Sequence, residues 1–221
     1  MATKIPQITE NLMNMMRIEK HRELVELEGY TLDIQPYMFP PKSPYSYSTR
    51  VLIENMNLTN QRVLEIGTGC GILSIAASKQ GARVDGVDII PECVQFSLDN
   101  AIRNNTFQTT RFYYSNMFSN IDPTTRYDTI LCNLPILDDN LPEPDPRWYS
   151  LFDPNFKFHR ELFQKGKNHA PRIMMAHADL KTKNDFKLLE SLAREYGWNV
   201  EKTNDKEYAG KTWRAYSFKL N

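Results

Sequence analysis

Apolar positions recur along this chain with two different periods. Ile8, Leu12, Met15 and Met16 fall on one helical face, with Thr9 as a capping residue and Glu10 in the first turn, predicting a helix from Thr9 to about Glu28 that Gly29 stops. A connector rich in proline and aromatic residues, from Gln35 to Ser48, follows and fits neither a regular helix nor a central strand. From Thr49 the pattern alternates between short apolar runs and helical stretches. The apolar runs 62–66, 82–89, 111–114, 127–132, 172–176, 198–202 and 213–220 read as strands. The segments 49–56, 72–79, 92–103, 158–164 and 184–196 read as helices. That alternation implies an α/β fold, a mostly parallel sheet of seven strands with helices on both faces. The connection between the last two strands is too short for a helical crossover, so they are expected to pair antiparallel as a C-terminal hairpin. The division this suggests is a helical N-terminal extension or lid over residues 1–34 and a ligand-binding domain over 35–221.

Composition narrows the picture. The chain has 221 residues, with 27 Lys and Arg balanced by 27 Asp and Glu. A zero net charge lowers the expectation of a nucleic-acid partner, which a basic surface usually attracts. No apolar run approaches the ~20 residues of a membrane span. The first residues lack the basic, apolar and small-residue sequence of a secretory signal. Cys70, Cys93 and Cys132 show no metal-ligand spacing and read as reduced thiols, which points to the cytoplasm and to no metal. Nothing in the sequence decides an oligomeric state.

The chemistry gathers at the ends of strands. Gly67-Thr68-Gly69-Cys70-Gly71 lies between the first parallel strand and a helix, where glycines permit a tight turn and close approach of a ligand to bare backbone. Asp88 ends the next strand, 21 residues beyond Gly67, where an acid accepts hydrogen bonds from a ribose diol. Glu65, just before the loop, would repel a diphosphate and suit an amine or a sulfonium. A nucleoside-containing, cationic cofactor follows from these three features.

These residues resemble a family. Glu65-Ile66-Gly67-Thr68-Gly69-Cys70-Gly71 is similar to motif I of the class I S-adenosylmethionine (SAM) methyltransferases, whose sheet is Rossmann-like. Asp88 matches their ribose-binding acid, and Asn133-Leu134-Pro135-Ile136 resembles their Asn/Asp-Pro-Pro-aromatic motif in members that methylate nitrogen. The branch most resembled is that of release-factor glutamine N5-methyltransferases and their small and rRNA adenine-N6 relatives. The resemblance implies SAM as cofactor, with Gly67, Thr68, Gly69 and Gly71 along its amino-acid part and Glu65 near its amine. It further implies Asp88 on the ribose, Ile89 on adenine, and Asn116 and Met117 at the adenine edge. Asn133 and Pro135 then carry the catalytic motif, in which the Asn133 side chain and the carbonyl of the next residue, here Leu134, orient an acceptor NH2. Leu134 and Ile136 depart from the family pattern. Ile136 has no π-face, so stacking on an acceptor falls to Tyr45, Tyr47 or Trp148.

The departure favours a less planar acceptor, and a small-molecule amine or amide is the expected substrate. Two alternatives stay open: methylation of protein glutamine or RNA adenine, and cyclisation of SAM in the manner of azetidine-2-carboxylate synthases. A binding protein without activity is a further possibility, opposed by the intact glycines and Asp88. His177, with Asp179, could serve as a base near the cleft or sit in the core. The acidic run from Asp138 to Asp145 could attract a cation or be a solvated loop.

Overall fold

A computed structural model describes residues 7–18, 23–35, 38–39, 47–141, 146–180 and 185–221. In chain order the helices are α1 (Gln7–Ile18), α2 (Tyr47–Asn55), α3 (Ile72–Lys79), α4 (Pro91–Arg103), α5 (Lys157–Gly166) and α6 (Asp185–Glu195). The strands are β1 (Glu23–Leu27), β2 (Tyr30–Ile34), β3 (Arg62–Ile66), β4 (Arg83–Asp88), β5 (Thr110–Tyr114), β6 (Thr129–Cys132), β7 (Arg172–Ala178), β8 (Trp198–Tyr208) and β9 (Lys211–Leu220). Seven strands form one sheet in the order β5-β4-β3-β6-β7-β9-β8. All neighbours are parallel except the pairs made by β9, which runs antiparallel to both β7 and β8. The predicted α/β architecture with its C-terminal hairpin is the one found.

Strand side chains alternate between two cores, one on each face of the sheet. Val63, Leu131, Met174 and Ala176 join the core shared with α2, α3 and α4. Leu64, Ile66, Ile130 and Ile173 join the core shared with α5 and α6. Strands buried on both faces explain why β3, β6 and β7 read as nearly continuous apolar runs. Among the described residues no helix is long and apolar enough to cross a membrane.

The N-terminal segment differs from the predicted single helix. Helix α1 ends at Ile18, and Glu23 to Ile34 form the β1–β2 hairpin. Residues 23–27 and 30–34 pair antiparallel around a two-residue turn, and Glu28 (φ 51°) and Gly29 (φ 81°) both take left-handed backbone there. That is the conformation a tight hairpin turn needs, so Gly29 serves a turn rather than a helix end. The hairpin docks on α4 through two asparagines one turn apart. The Asn100 amide accepts from Asp33 N (2.7 Å) and donates to Asp33 O (3.0 Å). Asn104 repeats the exchange with Thr31, at 3.2 and 2.8 Å. Two side-chain amides thus stand in for a neighbouring strand along β2.

Candidate active site

Strand order reverses between β3 and β6, so the connections leave their C-terminal ends in opposite directions and open a crevice there. A cavity of about 430 Å³ occupies that crevice, a size suited to a cofactor or small ligand. Its walls include the 65–70 segment, Asp88 to Ile90, Ser115 to Met117 and Asn133 to Leu137. Thr9 and Leu12 of α1, Ser48 and Thr49 of α2, and Tyr149, Phe158 and Trp213 complete them.

The glycine loop is tied to the end of β4, where Gly67 N and Thr68 N both donate to Val87 O at 2.9 Å. Gly67 (φ +73°) and Gly69 (φ +55°) take backbone that side chains resist, and a Cβ on either would stand in open space. The loop therefore presents bare backbone to the cavity. A Cβ on Gly71 would lie 3.1 Å from Ser97, so that glycine allows α3 and α4 to approach.

Two acids flank the loop. Asp88 is 8 % exposed and accepts from Gly69 N and Ile90 N, each at 2.9 Å. Burial outweighs those bonds and holds its carboxyl above the usual carboxylate range. Glu65 is 1 % exposed, and its Oε2 accepts from Ser74 N (3.0 Å), Thr68 Oγ1 (2.9 Å) and the Ser74 hydroxyl. Burial first, and the nearby Asp88 charge second, push Glu65 up to about 8, against the lowering effect of its hydrogen bonds. A buried acid this reluctant to ionise alone is suited to a cationic ligand that would stabilise its charge.

The residues fit SAM on these grounds: open backbone at Gly67 and Gly69, an acid at each end of the loop, and an apolar shelf. Ile89 and buried Met117 supply that shelf, and exposed Asn116 borders it, its backbone N–H donating to Ser119 Oγ.

Asn133, Leu134, Pro135 and Ile136 all line the cavity at the end of β6. Asn133 Nδ2 donates to Ser48 Oγ at 3.0 Å and to Thr49 Oγ1 at 3.4 Å. These two hydroxyls were not singled out in the sequence, where a Ser-Thr pair opening a helix reads only as a cap.

The aromatic candidates fare differently. Tyr45 lies outside the described residues. Tyr47 stacks on Tyr208 with ring centroids 4.6 Å apart and is not among the lining residues. Trp148 is fully buried in the core. The aromatic surface facing the cavity comes instead from Phe39, Tyr149, Phe158 and Trp213, residues without a motif to mark them.

His177 is buried in the second core beside His159, Phe156 and Phe186, away from the cavity lining. Asp179 Oδ1 accepts from Thr212 N at 2.7 Å and holds β9. Of the two readings of His177, the core one holds, and Asp179 is likewise structural. His177 is nonetheless an odd core residue, since among the described residues neither ring nitrogen has a hydrogen-bond partner. The acidic run is described only as far as Leu141, and residues 142–145 lie outside the described set.

Comparison with known proteins agrees with this geometry. The family profile of ribosomal protein L11 methyltransferase (PrmA) matches residues 49–155. Together with the fold, this match makes the chain similar to the class I SAM-dependent methyltransferases. A relative from Methanocaldococcus jannaschii, described as a candidate protein N5-glutamine methyltransferase, is 37% identical over 116 residues, 52% of this chain and 55% of that one. The ribosomal protein L11 methyltransferase of Colwellia psychrerythraea is 36% identical over 83 residues, 37% of this chain and 27% of that one. The matched parts thus take in about half or less of these relatives' length. Among solved structures, the M. jannaschii tRNA m1G37 methyltransferase superposes with a TM-score of 0.66 at 18% identity. It covers 92% of this chain and 58% of that one, and shows the shared fold.

These findings overturn two expectations together. The relatives' named substrates are proteins and a tRNA, so the small-molecule acceptor and the low expectation of a nucleic-acid partner are both withdrawn. Both had rested on Ile136 and on net charge. A missing aromatic at one position says little when other rings face the cavity, and a total charge says nothing of where charges sit.

Proposed function

We propose that this chain transfers the methyl group of SAM to a side-chain nitrogen of a protein, a primary amide of the glutamine kind. The observation that carries this reading is the placement of Asn133 to Ile136 on the same cavity as the glycine loop and Asp88. The two sequence relatives are named for protein substrates, which favours protein over RNA. SAM, when bound, supplies an activated methyl on a sulfonium. This chain's residues then have to bind, orient and dry the reactants. Backbone at Gly67 and Gly69, with Glu65 and Asp88, would hold SAM; Ile89, Asn116 and Met117 would border its base. The Asn133 side-chain oxygen and the Leu134 carbonyl are the acceptors for the two N–H bonds of an incoming amide, and Pro135 fixes the turn that presents them. Orientation of that kind is catalysis by position, with no metal required. Within the N-terminal segment, α1 acts as a cover, with Thr9 and Leu12 over the cavity of the 35–221 domain. Three reduced, buried thiols suit a cytoplasmic setting.

The test is transfer from methyl-labelled SAM into a cell extract, split between protease and nuclease digestion. The reading predicts protease-sensitive, nuclease-resistant label that hydrolyses to N-methylated side chains. Label confined to RNA, or none at all, would contradict it. Asn133→Ala should lower transfer on the order of a hundredfold while leaving SAM affinity unchanged.

A further inference from the structure

An asparagine amide is ambiguous as a catalytic group, because one end accepts hydrogen bonds and the other donates them. Only the accepting end suits a substrate NH2. A flipped Asn133 would turn its own NH2 toward the acceptor and set donor against donor. Something must choose the orientation.

Both N–H bonds of Asn133 Nδ2 have hydroxyl acceptors, Ser48 Oγ at 3.0 Å and Thr49 Oγ1 at 3.4 Å. Ser48 and Thr49 are 3 % and 2 % exposed, which limits competition from bulk water. Both residues line the same cavity as Asn133. We infer that Ser48 and Thr49 are positioning residues that lock the Asn133 amide with its oxygen toward the acceptor. This inference deepens the methyl-transfer reading and rests on it for its catalytic meaning, though the amide lock itself does not.

Helix α2 must be held still for the lock to work, and the C-terminal hairpin holds it. Tyr47 stacks on Tyr208 of β8 and packs against Trp213 of β9, with centroids 5.5 Å apart in the second pair. Lys206 of β8 pairs with Glu54 near the other end of α2, at 3.1 Å. Trp213 Nε1 donates to Tyr208 O at 3.3 Å, which joins the two hairpin strands behind that contact. A chain of packed groups therefore runs from the hairpin through α2 to the reactive end of Asn133.

The inference is tested by NMR on the full chain labelled with ¹⁵N, comparing Ser48→Ala, Thr49→Val, the double variant and the conservative Thr49→Ser. The Asn133 side-chain NH2 signals are assigned by their loss in Asn133→Ala. The lock predicts that in the double variant these signals move toward solvent-exposed values and exchange with water at least roughly tenfold faster. Thr49→Ser should restore them beside an intact Ser48, and backbone amide signals remote from the site should stay in place. Unmoved signals in the double variant would overturn the inference, and so would equal loosening in Thr49→Ser. Each single variant gives a readable answer if the double variant folds poorly. In the extract assay, the double variant should label protein roughly tenfold more slowly at unchanged SAM affinity measured by calorimetry. Loss of SAM affinity in step with rate would contradict a role on the acceptor side. If the wild type labels no protein, the proposed function fails, while the NMR result still decides the lock.

Discussion

At the scale of single residues, burial sets the chemistry. Glu65 is held near 8 rather than at its ordinary 4.5, so the folded protein retains a proton on it that the unfolded chain has lost. Between those two values the folded state binds more protons, and this group's contribution to stability falls as pH rises through the window. A bound cation beside Glu65 would favour the carboxylate. SAM binding at neutral pH should therefore release a proton, and affinity should tighten as pH rises toward 8. Calorimetry in buffers of different ionisation enthalpy measures that proton, and Glu65→Gln should abolish it. His177 has the opposite sign. Burial pushes its imidazole down to about 3 from 6.5, so it stays neutral in the fold. Its contribution is complete above about 6.5 and is lost progressively as pH falls toward 3. His177→Phe, matched to the aromatic neighbours Phe156 and Phe186, should flatten the acid limb of an unfolding profile. The glycines and Asp88 were legible in sequence because their roles depend on backbone and spacing. The seclusion of His177 was not, since a histidine ending an apolar strand looks the same whether it faces a cleft or a core.

At the scale of elements, the parallel strands and their helices were readable because each repeats a single period. The β1–β2 hairpin, in which Glu23 to Ile34 pair antiparallel around Glu28-Gly29, was not read. The helical face of residues 8–16 was allowed to run on across it, and only the turn's left-handed backbone separates the two. What holds the hairpin lay beyond reach, because Asn100 and Asn104 find their partners some seventy residues away, at separations of 67 and 73. Asn100 also donates to Cys70 O at 2.9 Å, so one buried amide joins the hairpin to the glycine loop. Asn100→Ala should cost on the order of 3 kcal/mol in denaturant unfolding, because it strands buried backbone groups. Asn104→Ala, at a half-exposed position, should cost about 1 kcal/mol. Similar losses for the two would contradict the part assigned to Asn100 in joining loop and hairpin. The long C-terminal strands were also underestimated. Polar residues from Thr203 to Glu207 hide a strand that is exposed on the sheet edge, where pairing with β9 rather than burial defines it.

At the scale of the molecule, everything turns on the reversal of strand order between β3 and β6. That reversal places the glycine loop, Asp88 and Asn133 around one cavity, though they are far apart in sequence. The α1 helix closes one side, and the C-terminal hairpin steadies α2 on another. The fold thus brings the glycine loop, two buried acids and the Asn133 turn within one enclosure, the arrangement on which the proposed methyl transfer rests. The most direct test is calorimetric titration of the wild-type chain and Asp88→Ala with SAM. The account predicts saturable binding by the wild type and at least roughly tenfold weaker binding by the variant, as expected for loss of hydrogen bonds to a charged group. No binding by a folded wild type, or equal binding by the two, would contradict it.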